Sequence, residues 1–345
     1  MNIGLQKICL RIALFRVIIT LLLSLMLVQC GQSPSPDAPL TMADQAPNSR
    51  RAPVAPDLPP PEGIVVNGAV WETLAEGYVY TDGPAADNAG NVFFAEVVSN
   101  RLLQINSAGE VATVDEATAM TMGLVIGPDG LLYGCRNRDA QIVRYNKEGE
   151  IEVLLQGELS PLPNNPRMPG EFCNDLAINS AGGVWFTDRI NRRVMYLGPE
   201  GSAKVVAEGF RPNGIVLSAD RQKIVVTDSV APLLHAFSVG EEGELTELPD
   251  YFDPIMTVEQ IGAEEIVAGR PGSNGMTVDS EGRFYVATFY GIQIFDSKGS
   301  YIGVIRAPRG FVSNLILGGP GYGWLYVTGR HGIYRLDMQT HGVGW

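Results

Sequence analysis

The chain has 345 residues, 45% of them hydrophobic, with 38 acidic against 25 basic side chains and a formal net charge of −13. That length and apolar content provide for a full-sized core and exclude a disordered acidic tail. The acidic balance, with no Lys/Arg cluster, excludes the concentrated basic surface that a nucleic-acid binder needs. Four cysteines are too few for a disulfide scaffold, and 40 glycines without a collagen-like period call for many tight turns.

The first 16 residues carry Lys7, Arg11 and Arg16 and no acid, and Val17 to Val28 is an apolar run broken only by Thr20 and Ser24. Charge followed by an apolar stretch too short to span a bilayer reads as an export signal over residues 1–29, with a stable membrane anchor as the alternative. Leu27-Val28-Gln29-Cys30 resembles the lipobox of bacterial lipoproteins, although Gln29 stands where a small residue is usual. The resemblance implies that Cys30 becomes a lipidated first residue, holding the protein to a membrane in the periplasm or at the cell surface; ordinary cleavage would leave it secreted. Residues 30–62, rich in proline, then read as a flexible tether.

From residue 63 onward one phrase recurs: an Asp/Asn-Gly turn followed by an aromatic or β-branched strand. It reads ADNAGNVFFAE, IGPDGLLYGC, INSAGGVWFTD, LSADRQKIVVTDS, VDSEGRFYVAT and LGGPGYGWLYVTG, each succeeded by further alternating residues such as RLLQIN or QIVRYN. Alternation with period two predicts strands. The turn anchors Gly90, Gly130, Gly182, Arg221, Gly282 and Gly321 lie 40, 52, 39, 61 and 39 residues apart. Six units of about four strands, none able to bury both faces alone, predict an all-β, six-bladed β-propeller of four-stranded blades over residues 63–345. A sandwich is the alternative, and it gives no reason for the sixfold recurrence. The segment IVVNGAVWETLA is expected to pair with the last blade and close the ring.

The phrases TDGPAADNAGNVFF, CNDLAINSAGGVWFTD, RPNGIVLSADRQKIVVTDS and PGSNGMTVDSEGRFYVAT, with the closing SNLILGGPGYGWLYVTGRHGIYRL, resemble the gluconolactonase/senescence-marker-protein family over about residues 62–340. The resemblance implies Ca2+, or another divalent cation, in the axial channel, and hydrolysis of a lactone such as a sugar lactone or sugar-acid derivative. Carried over position by position, the implied metal ligands are Asp82, Asn174, Asn213 and Asn274. Asp82 replaces a glutamate, and Asn274 replaces an aspartate that would supply a second negative ligand. Asp175 and Asp228, in the same motifs, are the candidates for catalytic proton transfer or for orienting water.

Read without the resemblance, Asp82-Gly83-Pro84, Asn213-Gly214 and Asn274-Gly275 are simply good turn formers. His235, in PLLHAFSV, reads as a hydrogen-bonded strand histidine, and the absence of HExxH and GxSxG motifs argues against zinc and serine hydrolases. Cys135 and Cys173 read as small buried thiols, with a disulfide after export as the alternative. Arg136, Arg138, Arg189, Arg192 and Arg193 follow strand ends and form a rim able to attract an anionic ligand. The rival functions are an organophosphate-hydrolysing relative and a noncatalytic, tethered propeller that binds a ligand or protein. The sequence leaves the oligomeric state open.

Overall fold

Each of the six repeated phrases opens an antiparallel sheet of four strands. The structure, a computed structural model, describes residues 59–146, 149–161, 170–256 and 272–345; the expected signal at 1–29 and nearly all of the tether at 30–62 lie outside the described residues. Blades 1 to 5 start from the strands Thr81–Ala86, Thr121–Ile126, Leu176–Ile178, Pro212–Leu217 and Ser273–Val278, and each adds its next three strands outward in chain order. Blade 6 takes only three strands from the end of the chain, starting from Val312–Gly318, and its outermost strand is Glu72–Tyr78, paired antiparallel with His331–Asp337. The ring is thereby closed by chain segments more than 250 residues apart, as IVVNGAVWETLA led one to expect. Among the described residues there is no α-helix, and one short hairpin, Ser160–Pro161 with Gly170–Glu171, stands outside the blades.

The turns explain why the strands reverse where they do. All six anchors, Gly90, Gly130, Gly182, Arg221, Gly282 and Gly321, have φ between 56° and 86°, the left-handed region that glycine enters without steric cost. An Asp or Asn at the start of the turn fixes it: Asp87 Oδ1 accepts from the amides of Ala89 and Asn91, and Asn179 Oδ1 and Asp279 Oδ1 accept in the same way from Ala181 and Gly183, and from Glu281 and Arg283. The core lies between neighbouring blades. Trp185 and Val194 of blade 3 pack against Ile215, Ile224 and Val226 of blade 4, and Trp185 Nε1 donates to the carbonyl of Gly243 at 2.9 Å. Hydroxyls stitch the blades together near the axis: Thr187 Oγ1 donates to Asn213 O, Thr227 Oγ1 to Asn274 O, and Ser313 Oγ to Thr81 O.

Two further features differ from, or add to, the expectations. Cys135 in blade 2 and Cys173 at the start of blade 3 are joined as a disulfide, so the buried-thiol reading gives way to its alternative. Both cysteines are fully buried on abutting blades, which brings their Cα atoms to 5.5 Å, within bonding geometry. The C-terminal tail crosses the end of the channel where the innermost strands finish. There Trp345 Nε1 donates to Ile126 O, Arg221 Nη2 donates to Gly344 O, and the Arg221 guanidinium lies 4.0 Å over the indole.

The disulfide closes a loop of 38 residues. Replacing both cysteines by serine is expected to lower the unfolding free energy by about 2–4 kcal/mol. Chemical denaturation of the two proteins side by side measures it, and coincident curves would show that the crosslink adds nothing.

Candidate functional site at the channel axis

The strand registers align the innermost strands of all six blades. One step carries Asp82, Met122, Asn174, Asn213, Asn274 and Ser313; the next carries Gly83, Gly123, Asp175, Gly214, Gly275 and Asn314. The four residues predicted as metal ligands therefore occupy equivalent positions in blades 1, 3, 4 and 5. The second ring is packed to the limit of backbone contact. A Cβ on Gly83 would fall 1.9 Å from Met122 O, on Gly123 2.6 Å from Asn174 O, and on Gly214 2.5 Å from Asn274 O. Four of six positions must therefore be glycine, and the space left over admits the Asp175 and Asn314 side chains from opposite blades. They meet: Asn314 Nδ2 donates to Asp175 Oδ2 at 3.2 Å.

Asp82, Asp175 and Asn314 share a local device, each side-chain oxygen accepting from the next backbone amide, Gly83, Leu176 and Leu315 respectively. Both carboxyls are buried, and burial pushes Asp82 up to about 6 and Asp175 up to about 7. The Asp82 charge adds to the rise at Asp175, which places the two carboxylates within electrostatic reach of each other. Hydrogen bonding from the Gly83 amide, and then from Tyr80 and Asn314, partly offsets the rise at Asp82. Burial and the neighbouring Asp82 hold the Tyr80 phenol well above its usual range, so it stays a protonated donor.

Asn174 and Asn213 are buried and Asn274 is half-buried, yet none of the three amide groups hydrogen-bonds to a described residue. A small hollow opens between Asn213 and Asn274, with Phe289 and Phe311 among its walls. Their amide atoms are absent from the fully shielded unpaired groups, so they reach the open space at the axis, and each has an oxygen to offer. Together with the two carboxylates they form a set of hard donors of the kind that oxygen-seeking divalent cations take. Among the described residues no group of three or more His, Cys, Asp or Glu is placed to hold a metal ion.

Asp228 is not drawn into this cluster. It ends the second strand of blade 4, where its Oδ1 accepts from the amides of Val230 and Ala231 and its Oδ2 lies 3.8 Å from His235 Nε2. The carboxylate thus holds its own loop, and His235 stacks on Phe210 with ring centroids 3.9 Å apart. The arginine rim also divides. Arg136 pairs with Asp139 and Arg193 with Asp188, Arg192 donates to Gly209 O, and Arg138 is exposed. Arg189 alone turns inward, paired with Glu171 and buried. Asn314, Tyr80 and Glu171 were not singled out from the sequence. Asn314 had a readable signal, since Ser313-Asn314-Leu315 falls in register with Asn174-Asp175-Leu176.

Comparison with known proteins agrees with this architecture. Residues 80–331 match the SMP-30/Gluconolactonase/LRE-like region, and the chain belongs to that family. A gluconolactonase of Zymomonas mobilis is 26% identical over 240 residues, which span 64% of this chain and 64% of that protein's length. Lactonase drp35 of Staphylococcus haemolyticus is 24% identical, over 70% of this chain and 74% of its own. Among solved structures, a gluconolactonase from Xanthomonas campestris superposes with a TM-score of 0.65 at 24% identity, covering 84% of this chain and 99% of that one. A calcium-binding protein, regucalcin, from Agrobacterium tumefaciens superposes with a TM-score of 0.63 at 18% identity, covering 83% and 96%.

The raised carboxyls give the fold a definite pH dependence. A carboxyl with a higher pKa folded than unfolded binds its proton more tightly in the native state, so its contribution is full below pH 4 and is lost as pH rises through 6 and 7. In chelator, stability is expected to fall by a few kcal/mol between pH 4.5 and 7.5, and Asp175→Asn to remove much of that slope. Denaturation midpoints measured across this range check it; a midpoint that climbs towards neutral pH contradicts the assignment.

Proposed function

We propose that the chain is a divalent-cation-dependent lactone hydrolase acting at the axial ring, with a sugar lactone as its substrate class. The observation that carries this reading is the buried pair Asp82 and Asp175. Two mutually repelling carboxyls, both poised near neutral pH, lie among three asparagines whose amides hydrogen-bond to no described residue. The Arg189 guanidinium, within electrostatic reach of Asp82, is paired with Glu171. The names of the relatives, gluconolactonase and lactonase, support the same chemistry.

Asp82 with the amide oxygens of Asn174, Asn213 and Asn274 would hold the cation, Ca2+ by the chemistry of the donors. When bound, such an ion supplies Lewis-acid polarisation of the lactone carbonyl. Asp175 is suited to the proton: with a pKa of about 7 it is partly ionised at neutral pH, and Asn314 and the Leu176 amide fix its two oxygens. As the carboxylate it accepts a proton from the attacking water, and it returns that proton to the ring oxygen as the ester bond breaks. Asp228, committed to its loop, serves the frame of blade 4. Anchoring through Cys30 and export belong to the same proposal, and the Cys135–Cys173 disulfide supports an oxidising compartment.

Mature protein assayed on a panel of sugar and simple lactones is expected to hydrolyse at least one, to lose activity in chelator and to regain it with Ca2+. Asp82→Ala and Asp175→Asn should each lower kcat/KM by about 100-fold or more. Activity indifferent to chelator, or none across the panel, would end the proposal. A separate titration tests the donor set: Asn274→Asp adds a negative ligand and should tighten Ca2+ binding by about tenfold.

A further inference from the structure

Directly beneath the glycine ring the axis opens again. The innermost strands leave a cavity of about 140 Å³ there, walled by Leu124, Leu176, Ile215, Val278 and Leu317 and floored by Val343, Gly344 and Trp345 of the tail. The walls begin one residue after Gly123, Asp175 and Gly214, so the crowded ring that forms the bottom of the well is also the ceiling of this second chamber. Asp82, Asn174, Asn213 and Asn274, on the other side of that ring, line no part of it.

Its polar side chains are few, and nearly all are committed. Ser218 Oγ donates to Asp220 and accepts from the Lys223 amide, Arg221 donates to Gly344 O, Tyr322 donates to Asn88 Oδ1, and Trp345 Nε1 donates to Ile126 O. Thr277 is the exception. It is buried, its hydroxyl hydrogen-bonds to no described residue, and that oxygen is not among the unpaired atoms sealed from open space. One hydroxyl, able to donate and to accept, is thus left free at the wall of an otherwise apolar room.

Size and wall chemistry narrow the occupant. A cavity of about 150 Å³ with apolar walls stays dry and holds one benzene ring. A carboxylate or ammonium entering it would lose its hydration and meet no unengaged charge, because the Arg221 guanidinium is turned onto the Trp345 indole. The way in lies past the tail, where the floor is thin: Val343 lines the chamber and is still 38% exposed.

We propose that this lower chamber is a second ligand site, taking a small neutral molecule of the phenol class, with its single aromatic ring against the apolar walls and its hydroxyl on Thr277. Trp345 is the cover, held to blade 2 by its indole and to Asn88 Nδ2 through its carbonyl. The site is independent of the axial donors, and its test separates the two.

Phenol titrated into the mature protein should shift the Trp345 indole 1H–15N resonance, assigned by its absence in Trp345→Phe, and should saturate with a Kd of about 1 mM or below. The midpoint should be the same in chelator and in excess Ca2+, so that neither result bears on lactone hydrolysis. Thr277→Val should weaken phenol about fivefold, the scale of one neutral hydrogen bond, and leave benzene unchanged. Trp345→Ala, which removes the cover, should weaken both about tenfold. Absence of a saturable shift at Trp345, or a shift abolished by Ca2+, would overturn the proposal, and neither outcome needs a variant to fold. Phenol bound equally well by the wild type and by Thr277→Val would overturn it too.

Discussion

Six strands that converge on one axis cannot all bring side chains to it. This steric constraint organises the molecule. At the tightest ring the backbones of blades 1, 2, 4 and 5 approach so closely that only Gly83, Gly123, Gly214 and Gly275 fit, and the remaining room goes to one opposed pair, Asp175 and Asn314. One step nearer the mouth the ring widens enough for Asp82, Asn174, Asn213 and Asn274. The polar content of the centre is thus a matter of geometry before it is a matter of chemistry. Side chains are admitted only where the blades allow them, and those admitted are almost all oxygen carriers.

The electrostatic character of the site follows from the same crowding. Apolar strands press around the axis and exclude water, so the carboxyls of Asp82 and Asp175 lose hydration and are pushed up together. The net charge of the chain is irrelevant at this range: an excess of acids at the surface coexists with a centre where two acids resist ionisation. Substituting Asn for Asp at position 274 fits this balance, since a third buried carboxylate would add to the repulsion. It also leaves the donor set weaker in charge than the family pattern carried over from the sequence.

Much of the fold was legible in the sequence because each blade is built by local rules. The turn anchors recur, every one of the six has positive φ, and Arg221 does so although it is not glycine. Closure by the segment 64–75 was legible in part: the strand that closes the ring is Glu72–Tyr78, which overlaps it only at its end, while Val65 adds an isolated bridge to Met338. What stayed hidden depends on which blades face one another. Asn314 gains its role only because blade 6 stands across from blade 3, and Glu171 meets Arg189 only because a short hairpin without the repeat's pattern delivers it. Asp228 shows the opposite difficulty: its position in a motif is correct for a strand end, but sequence does not tell which way a carboxylate turns. The two cysteines, 38 residues apart, are neighbours only once blades 2 and 3 abut.

The tail that ends in Trp345 gives this architecture a direction. With the indole docked on blade 2, Arg221 stacked over it and the glycine ring closed above, the axis is a blind well rather than a tunnel. Whatever enters the well must leave by the door it came through. Arrival and departure then share one path, so an occupant that lingers at the bottom of the well shuts out its successor.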